Sequence, residues 1–151
     1  MPTFRTGSEE ETIALGERLA RELPRRAVLV LIGNLGAGKT TLAKGLVKGL
    51  GAAEPEEVSS PTFTLIHEYP AAGSKPGDPA RKVYHVDLYR LDHAREAASI
   101  GLEELFEKEA VVLIEWGERF PELLPDQRIE IRIQACDGDQ REITVTPIQH
   151  D

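Results

Sequence analysis

Leu15, Leu19 and Leu23 recur every fourth residue, with Ile13, Gly16 and Ala20 beside them and charged residues on the opposite side. That period predicts an amphipathic helix. Ser8 precedes it, with Glu11 three residues further on in the pattern of a capping box, and Pro24 stops it. Ala27 to Ile32 follows as an apolar run without alternation, which suits a strand buried on both faces in a parallel sheet. After a glycine-rich turn, Leu42, Leu46 and Leu50 repeat the four-residue interval beside Ala43 and Val47. They predict a second helix, stopped by Gly49 and Gly51.

Beyond the break at Ser59-Ser60-Pro61, Thr62 to Tyr69 reads as a strand and Pro70 to Pro79 as a loop. Lys82 to Tyr89 alternates and reads as a strand ending near Asp87. Ile100 to Ala110 reads as a helix, and Val111 to Ile114 as a short buried strand running onto Glu115 and Trp116. In the last third, Ile129, Ile131 and Ile133 alternate with Glu130, Arg132 and Gln134. Asp137-Gly138-Asp139 then turns the chain into an extended run from Arg141 to Ile148. Alternation on both sides of an Asp-Gly turn predicts an antiparallel hairpin with one wet face. The expected fold is α/β, a mixed sheet with a parallel centre and antiparallel additions that include this C-terminal hairpin. There is no internal repeat and no low-complexity segment.

Composition sharpens this picture. The chain has 151 residues, 40% of them hydrophobic, which fits a single domain over 1–151. No apolar stretch is long enough for a membrane span, and Glu9 to Glu11 interrupt the region where a signal peptide would need an apolar run. Cys136 is the sole cysteine, so neither an internal disulfide nor a thiol zinc site can form. Both features lead us to expect a cytoplasmic protein. The formal charge of −8, from 18 Lys and Arg against 26 Asp and Glu, disfavours nucleic-acid binding by this chain alone.

The glycine-rich turn carries the chemistry. From Gly33 the residues Gly-Asn-Leu-Gly-Ala-Gly-Lys-Thr fit the phosphate-loop pattern GxxxxGK[ST] in full, after a buried strand and before a helix. Small residues at Gly33, Gly36, Ala37 and Gly38, with Leu35 among them, let backbone N–H groups close on phosphate oxygens. The helix that starts near Lys39 turns its unpaired N–H groups to the same anion. Lys39, expected on the solvent face of the loop, reaches the β- and γ-phosphates. The Thr40 hydroxyl ligates Mg²⁺, and Thr41 meets the α-phosphate. A P-loop NTPase fold follows.

Such a site needs an acid at the end of a neighbouring strand. Asp87 and Glu115 both qualify. Glu115 follows the more apolar run and is assigned to the metal, leaving Asp87 to orient water. Ser59 to Thr64 lies where nucleotide switches carry a mobile loop, and equally reads as a plain polar turn. Trp116 fits base stacking, a partner surface or core packing alike; His85 reads as a structural, hydrogen-bonded histidine before a catalyst. Asn34 is the sole asparagine, so the Asn-Lys-x-Asp element of guanine readers is missing and ATP is favoured over GTP.

Taken in order, the phosphate loop at 33–41, Ser-Pro-Thr-Phe-Thr-Leu at 60–65, His-Val-Asp-Leu-Tyr-Arg-Leu at 85–91 and Leu-Ile-Glu-Trp at 113–116 resemble the TsaE family. These are small bacterial ATPases of tRNA threonylcarbamoyladenosine biosynthesis, and the resemblance spans nearly the whole chain. It implies ATP and Mg²⁺ as ligands, with Thr40 and Glu115 on the metal and Lys39, Asp87 and Glu115 in catalysis. It further implies that Ser60–Thr64 is the switch and that Ser8, Glu9 and Arg141 lie near the base. The implied partners are the threonylcarbamoyl transferase subunit (TsaD) and its paralogous companion (TsaB), with tRNA met only through that complex and no membrane involved. Ala71 to Ala80 resembles a longer loop than many members have. Two other readings of the phosphate loop stand beside this one: a small-molecule kinase, for which Arg119, Arg128 and Arg132 are unplaced candidates, and a nucleotide-dependent binding module.

Overall fold

The computed structural model describes residues 2–34, 36–61, 65–71 and 81–148. Leu35, Thr62 to Thr64 and most of the Ala71–Ala80 stretch lie outside them. One seven-stranded sheet runs through the molecule in the order β1-β7-β6-β2-β5-β4-β3. Its strands are β1 (Thr3–Thr6), β2 (Ala27–Ile32), β3 (Ile66–Ala71), β4 (Arg81–Asp87), β5 (Ala110–Glu115), β6 (Arg128–Ala135) and β7 (Arg141–Ile148).

The parallel centre is β6-β2-β5-β4. The hairpin of β6 and β7 forms as expected, turning through Gly138 and closed by the bond from Cys136 N to Gln140 O. Its first strand is not an antiparallel addition, since it pairs in parallel with β2 and so lies against the strand that feeds the phosphate loop. At the other end β3 joins β4 antiparallel. Pro70 belongs to β3, not to the expected loop. It is tolerated because β3 is an edge strand whose outer side needs no ladder donors. β1 has no counterpart in the sequence reading. It is short and polar; Phe4, paired with Ile143, packs against the core, and the buried Thr6 hydroxyl bonds that of Thr12 at 2.7 Å.

The apolar period works on both sides of the sheet. On one face helices α1 (Glu9–Arg21) and α2 (Lys39–Gly49) pack Leu15, Leu19, Leu42 and Leu46 onto Leu29, Leu31, Val83, Val111, Leu113 and Ile131. On the other face α3 (Glu96–Ser99) and α4 (Leu102–Phe106) cover Tyr84, Val86, Val112 and Ile114. The expected single helix from Ile100 to Ala110 is therefore corrected. Two short helices meet at Gly101, and Ala110 already belongs to β5.

Alpha1 and α2 cross at glycines. A Cβ on Gly45 would lie 2.1 Å from Ile13 O, and one on Gly16 would lie 2.7 Å from Leu42 O. Backbones approach this closely only where side chains are missing. Ser8 caps α1 by accepting from Glu11 N at 3.1 Å, while the Glu11 carboxylate accepts from Gly7 N at 2.8 Å. The close crossing brings that capped end of α1 beside the phosphate loop.

Candidate functional site

Strand β2 delivers the loop and α2 leaves it. Ala37 N bonds Asn34 O at 3.0 Å to form the turn, and Gly38 caps α2 with φ 111°, a left-handed backbone that suits glycine. No acidic residue lies in the first turn of α2, so its positive end faces the loop unneutralised.

Lys39 differs from expectation. It is 5% exposed, not solvent-facing, and its Nζ has no hydrogen-bond partner. The ammonium sits 3.3 Å from the centroid of the Trp116 ring. Desolvation pushes its pKa below the ordinary lysine value, and the carboxylates of Glu115, Glu118 and Asp87 partly oppose that.

The two acids stand side by side because β4 and β5 are parallel neighbours in register, Asp87 opposite Glu115. Side-chain alternation puts both on the face that carries Val83, Val111 and Leu113, the face covered by α2. Thr40, on the first turn of α2, meets Glu115 there, its hydroxyl 3.4 and 3.3 Å from the two carboxylate oxygens. His85 lies on the same face of β4, fully buried, with Nε2 2.5 Å from Glu115 Oε2. Asp87 is held differently. Its Oδ2 accepts from Ser60 Oγ at 2.8 Å and its Oδ1 from Tyr89 N at 2.8 Å.

A cavity of about 370 Å³ joins Lys39, Thr40, Thr41, Ser60, Asp87, Glu115 and Trp116. A second, also about 370 Å³, lies across the loop and is lined by Ser8, Glu9, Thr12, Thr41 and Arg141. Gly36 and Gly38 border both. Every described candidate residue except Gly33 and Ala37 lines one of these two spaces, and those two line a neighbouring cavity of about 450 Å³ with Glu118. Of the three arginines considered, Arg119 donates to the Leu88 and Tyr89 carbonyls and Arg128 to Glu130 and Pro125 O, while Arg132 is an exposed side chain near Glu130. None lines the cavity around Lys39.

Two contributors escaped the sequence reading. Tyr89 packs against Trp116 with ring centroids 5.1 Å apart and planes tilted by 48°, and Glu118 adds a third carboxylate to the surroundings of Lys39. Arg119, weighed above only as a kinase arginine, braces the turn after β4. Only the nearness of Glu118 to Glu115 in the chain offered a signal.

The donors fit the ligands the motif calls for. A buried cation without a partner at a helix N-terminus suits a polyphosphate. A hydroxyl and a carboxylate that converge offer oxygen donors of the kind Mg²⁺ takes. Among the described residues no cluster of three or more His, Cys, Asp or Glu forms a closed metal site.

A phosphate loop at the carboxyl end of a central parallel strand, with this constellation around it, defines a P-loop nucleotide-binding protein. The model of the threonylcarbamoyl adenosine biosynthesis protein TsaE matches residues 6–143, and the chain belongs to the TsaE family. The chain is 41% identical to the tRNA threonylcarbamoyladenosine biosynthesis protein TsaE of Bacillus subtilis over 145 residues, covering 96% of this chain and 85% of that one. It is 38% identical to the protein of the same name from Treponema pallidum over 138 residues, covering 91% and 95% of the two. The crystal structure of Bacillus subtilis YdiB aligns with a TM-score of 0.74 at 35% identity, covering 97% of this chain and 85% of that one.

Proposed function

We propose that this chain binds ATP with Mg²⁺ and hydrolyses it in support of threonylcarbamoyladenosine modification of tRNA, working with the transferase subunit and its paralogous companion. The single observation that carries the nucleotide reading is Lys39, a buried ammonium with no hydrogen-bond partner at the N-terminus of α2. Thr40 and Glu115 hold the cation, which when bound neutralises charge on the terminal phosphates. Lys39 and the first N–H groups of α2 orient the polyphosphate. Ser8, Glu9 and Arg141 receive the base, since they line the space on the far side of the loop. Asp87, tied to Ser60, couples the γ-phosphate to the segment that follows and positions the attacking water.

The pathway role comes from the family and from the names of the relatives above. No helix among the described residues is long and apolar enough to cross a membrane, in keeping with a cytoplasmic setting. One sheet includes strands from both ends of the chain, and we take 1–151 as one working domain.

Calorimetric titration with ATP, with and without Mg²⁺, followed by a pull-down from bacterial extract in both conditions, tests the proposal. Tight Mg²⁺-dependent binding and capture of the transferase subunits are expected. Absence of nucleotide binding would overturn it.

A further inference from the structure

Glu115 is held from a side that the nucleotide chemistry leaves unexplained. His85 has no exposed surface, and one ring nitrogen meets Glu115 Oε2 at 2.5 Å. The other, Nδ1, is buried and has no hydrogen-bond partner. An orphaned polar atom in a core is destabilising, and an apolar side chain at this position would carry none. Val83 and Asp87 flank His85 on the same face of β4, and its register partners are Leu113 on β5 and His67 on β3. The ring's Nε2 bond runs along the sheet to Glu115.

With Glu115 ionised, that bond requires the proton on Nε2 in either charge state of the ring, and the carboxylate accepts it. A carboxylate held through one oxygen loses its freedom to swing, while its second oxygen keeps its lone pairs for another partner. Thr40 Oγ1 lies 3.4 Å from that second oxygen, Oε1, and 3.3 Å from Oε2, so the hydroxyl faces both.

We propose that His85 is a positioning residue for the cation site. It clamps Glu115 through Oε2 so that the carboxylate stands preset beside Thr40, with Oε1 available to the metal. His85 touches neither nucleotide nor cation and acts through Glu115. This inference rests on the assignment of Glu115 to Mg²⁺ made above.

The test titrates a fluorescent ADP analogue at a series of Mg²⁺ concentrations and in EDTA, with thermal melts as the check on folding. His85→Phe is expected to match the parent in EDTA, and to need about 10-fold or more Mg²⁺ for half its effect on affinity. His85→Gln, whose amide reaches the Nε2 position, is expected to return to within about 3-fold of the parent, whereas His85→Asn, whose amide stops short, is not. An unchanged Mg²⁺ requirement in His85→Phe overturns the inference. So does His85→Gln behaving like His85→Phe, because ring packing rather than the donor would then matter. If His85→Phe fails to fold, the Asn and Gln variants decide, and equal Mg²⁺ requirements in those two overturn it. Glu115→Gln separates the two levels. A raised requirement there with none in His85→Phe sinks the clamp alone, and an unchanged requirement in Glu115→Gln sinks the metal assignment and the clamp together.

Discussion

A lysine ammonium buried without a hydrogen-bond partner, an indole across it, costs the folded chain stability for the sake of a ligand. Burial lowers its pKa, so the native state holds that proton less firmly than the unfolded state does. Below the native pKa the ammonium is charged in both states and the full penalty applies. As pH rises through that pKa towards the ordinary lysine value, the native state sheds the proton first and the penalty fades. Lys39→Met should therefore abolish tight nucleotide binding yet raise stability near neutral pH, by on the order of 1 kcal/mol. Thermal melts of both proteins across the alkaline range should show that gap closing, and a variant less stable than the parent at neutral pH would refute the reading. The two acids should fail differently. Glu115→Gln should raise the Mg²⁺ needed for binding, whereas Asp87→Ala, by removing the acceptor of Ser60 and the group that positions water, should spare binding and cut turnover about 100-fold or more. Titrations paired with single-turnover rates distinguish them, and the reverse pattern would exchange the two roles. Alternation along 82–89 already placed His85 and Asp87 on one face of a strand. The pairing of Asp87 and Glu115 at adjacent strand ends was expected, but the contact of His85 with Glu115 was not legible, because it exists only once β4 and β5 are neighbours in register.

Among the elements, the crossing of α1 and α2 governs the site from a distance. It carries Ser8 and Glu9 to the loop, and its closeness depends on Gly16 and Gly45. Gly45→Ala would set a methyl 2.1 Å from Ile13 O, a backbone atom that cannot rotate away. We expect a loss of about 2–3 kcal/mol in stability, with weaker nucleotide binding as the end of α1 shifts. Denaturant unfolding and nucleotide titration of the same preparation check both effects, and unchanged affinity would mean that α1 plays no part in the base site. The helices α1 and α2, the strand β2 and the hairpin were legible because each has a clean apolar period and a clear stop. The helix expected over 100–110 was not, since Gly101 divides it and the apolar positions on either side serve separate short turns. β1 escaped because so short a polar strand has no period to read; only pairing with β7 makes it one.

At the scale of the whole molecule, the net negative charge and a cavity around Lys39 that no arginine lines among the described residues point the same way. The net charge of −8 disfavours tRNA binding by this chain itself. Arg119 and Arg128 are committed to backbone carbonyls and Glu130, and none of the three candidate arginines lines the cavity around Lys39. The phosphate loop and its strand–helix setting were fully legible, as was the mixed sheet. The parallel pairing of β6 with β2 was not, because an alternating hairpin strand looks the same whichever neighbour it takes. Partner dependence is the central claim, and steady-state phosphate release tests it most directly, measured for the chain alone, with the transferase subunits, and with those subunits plus tRNA. Slow release alone and a large rise on docking are expected, approaching about 10³-fold where the partner supplies an arginine to the Lys39 cavity. A full rate in isolation that no partner changes would contradict it.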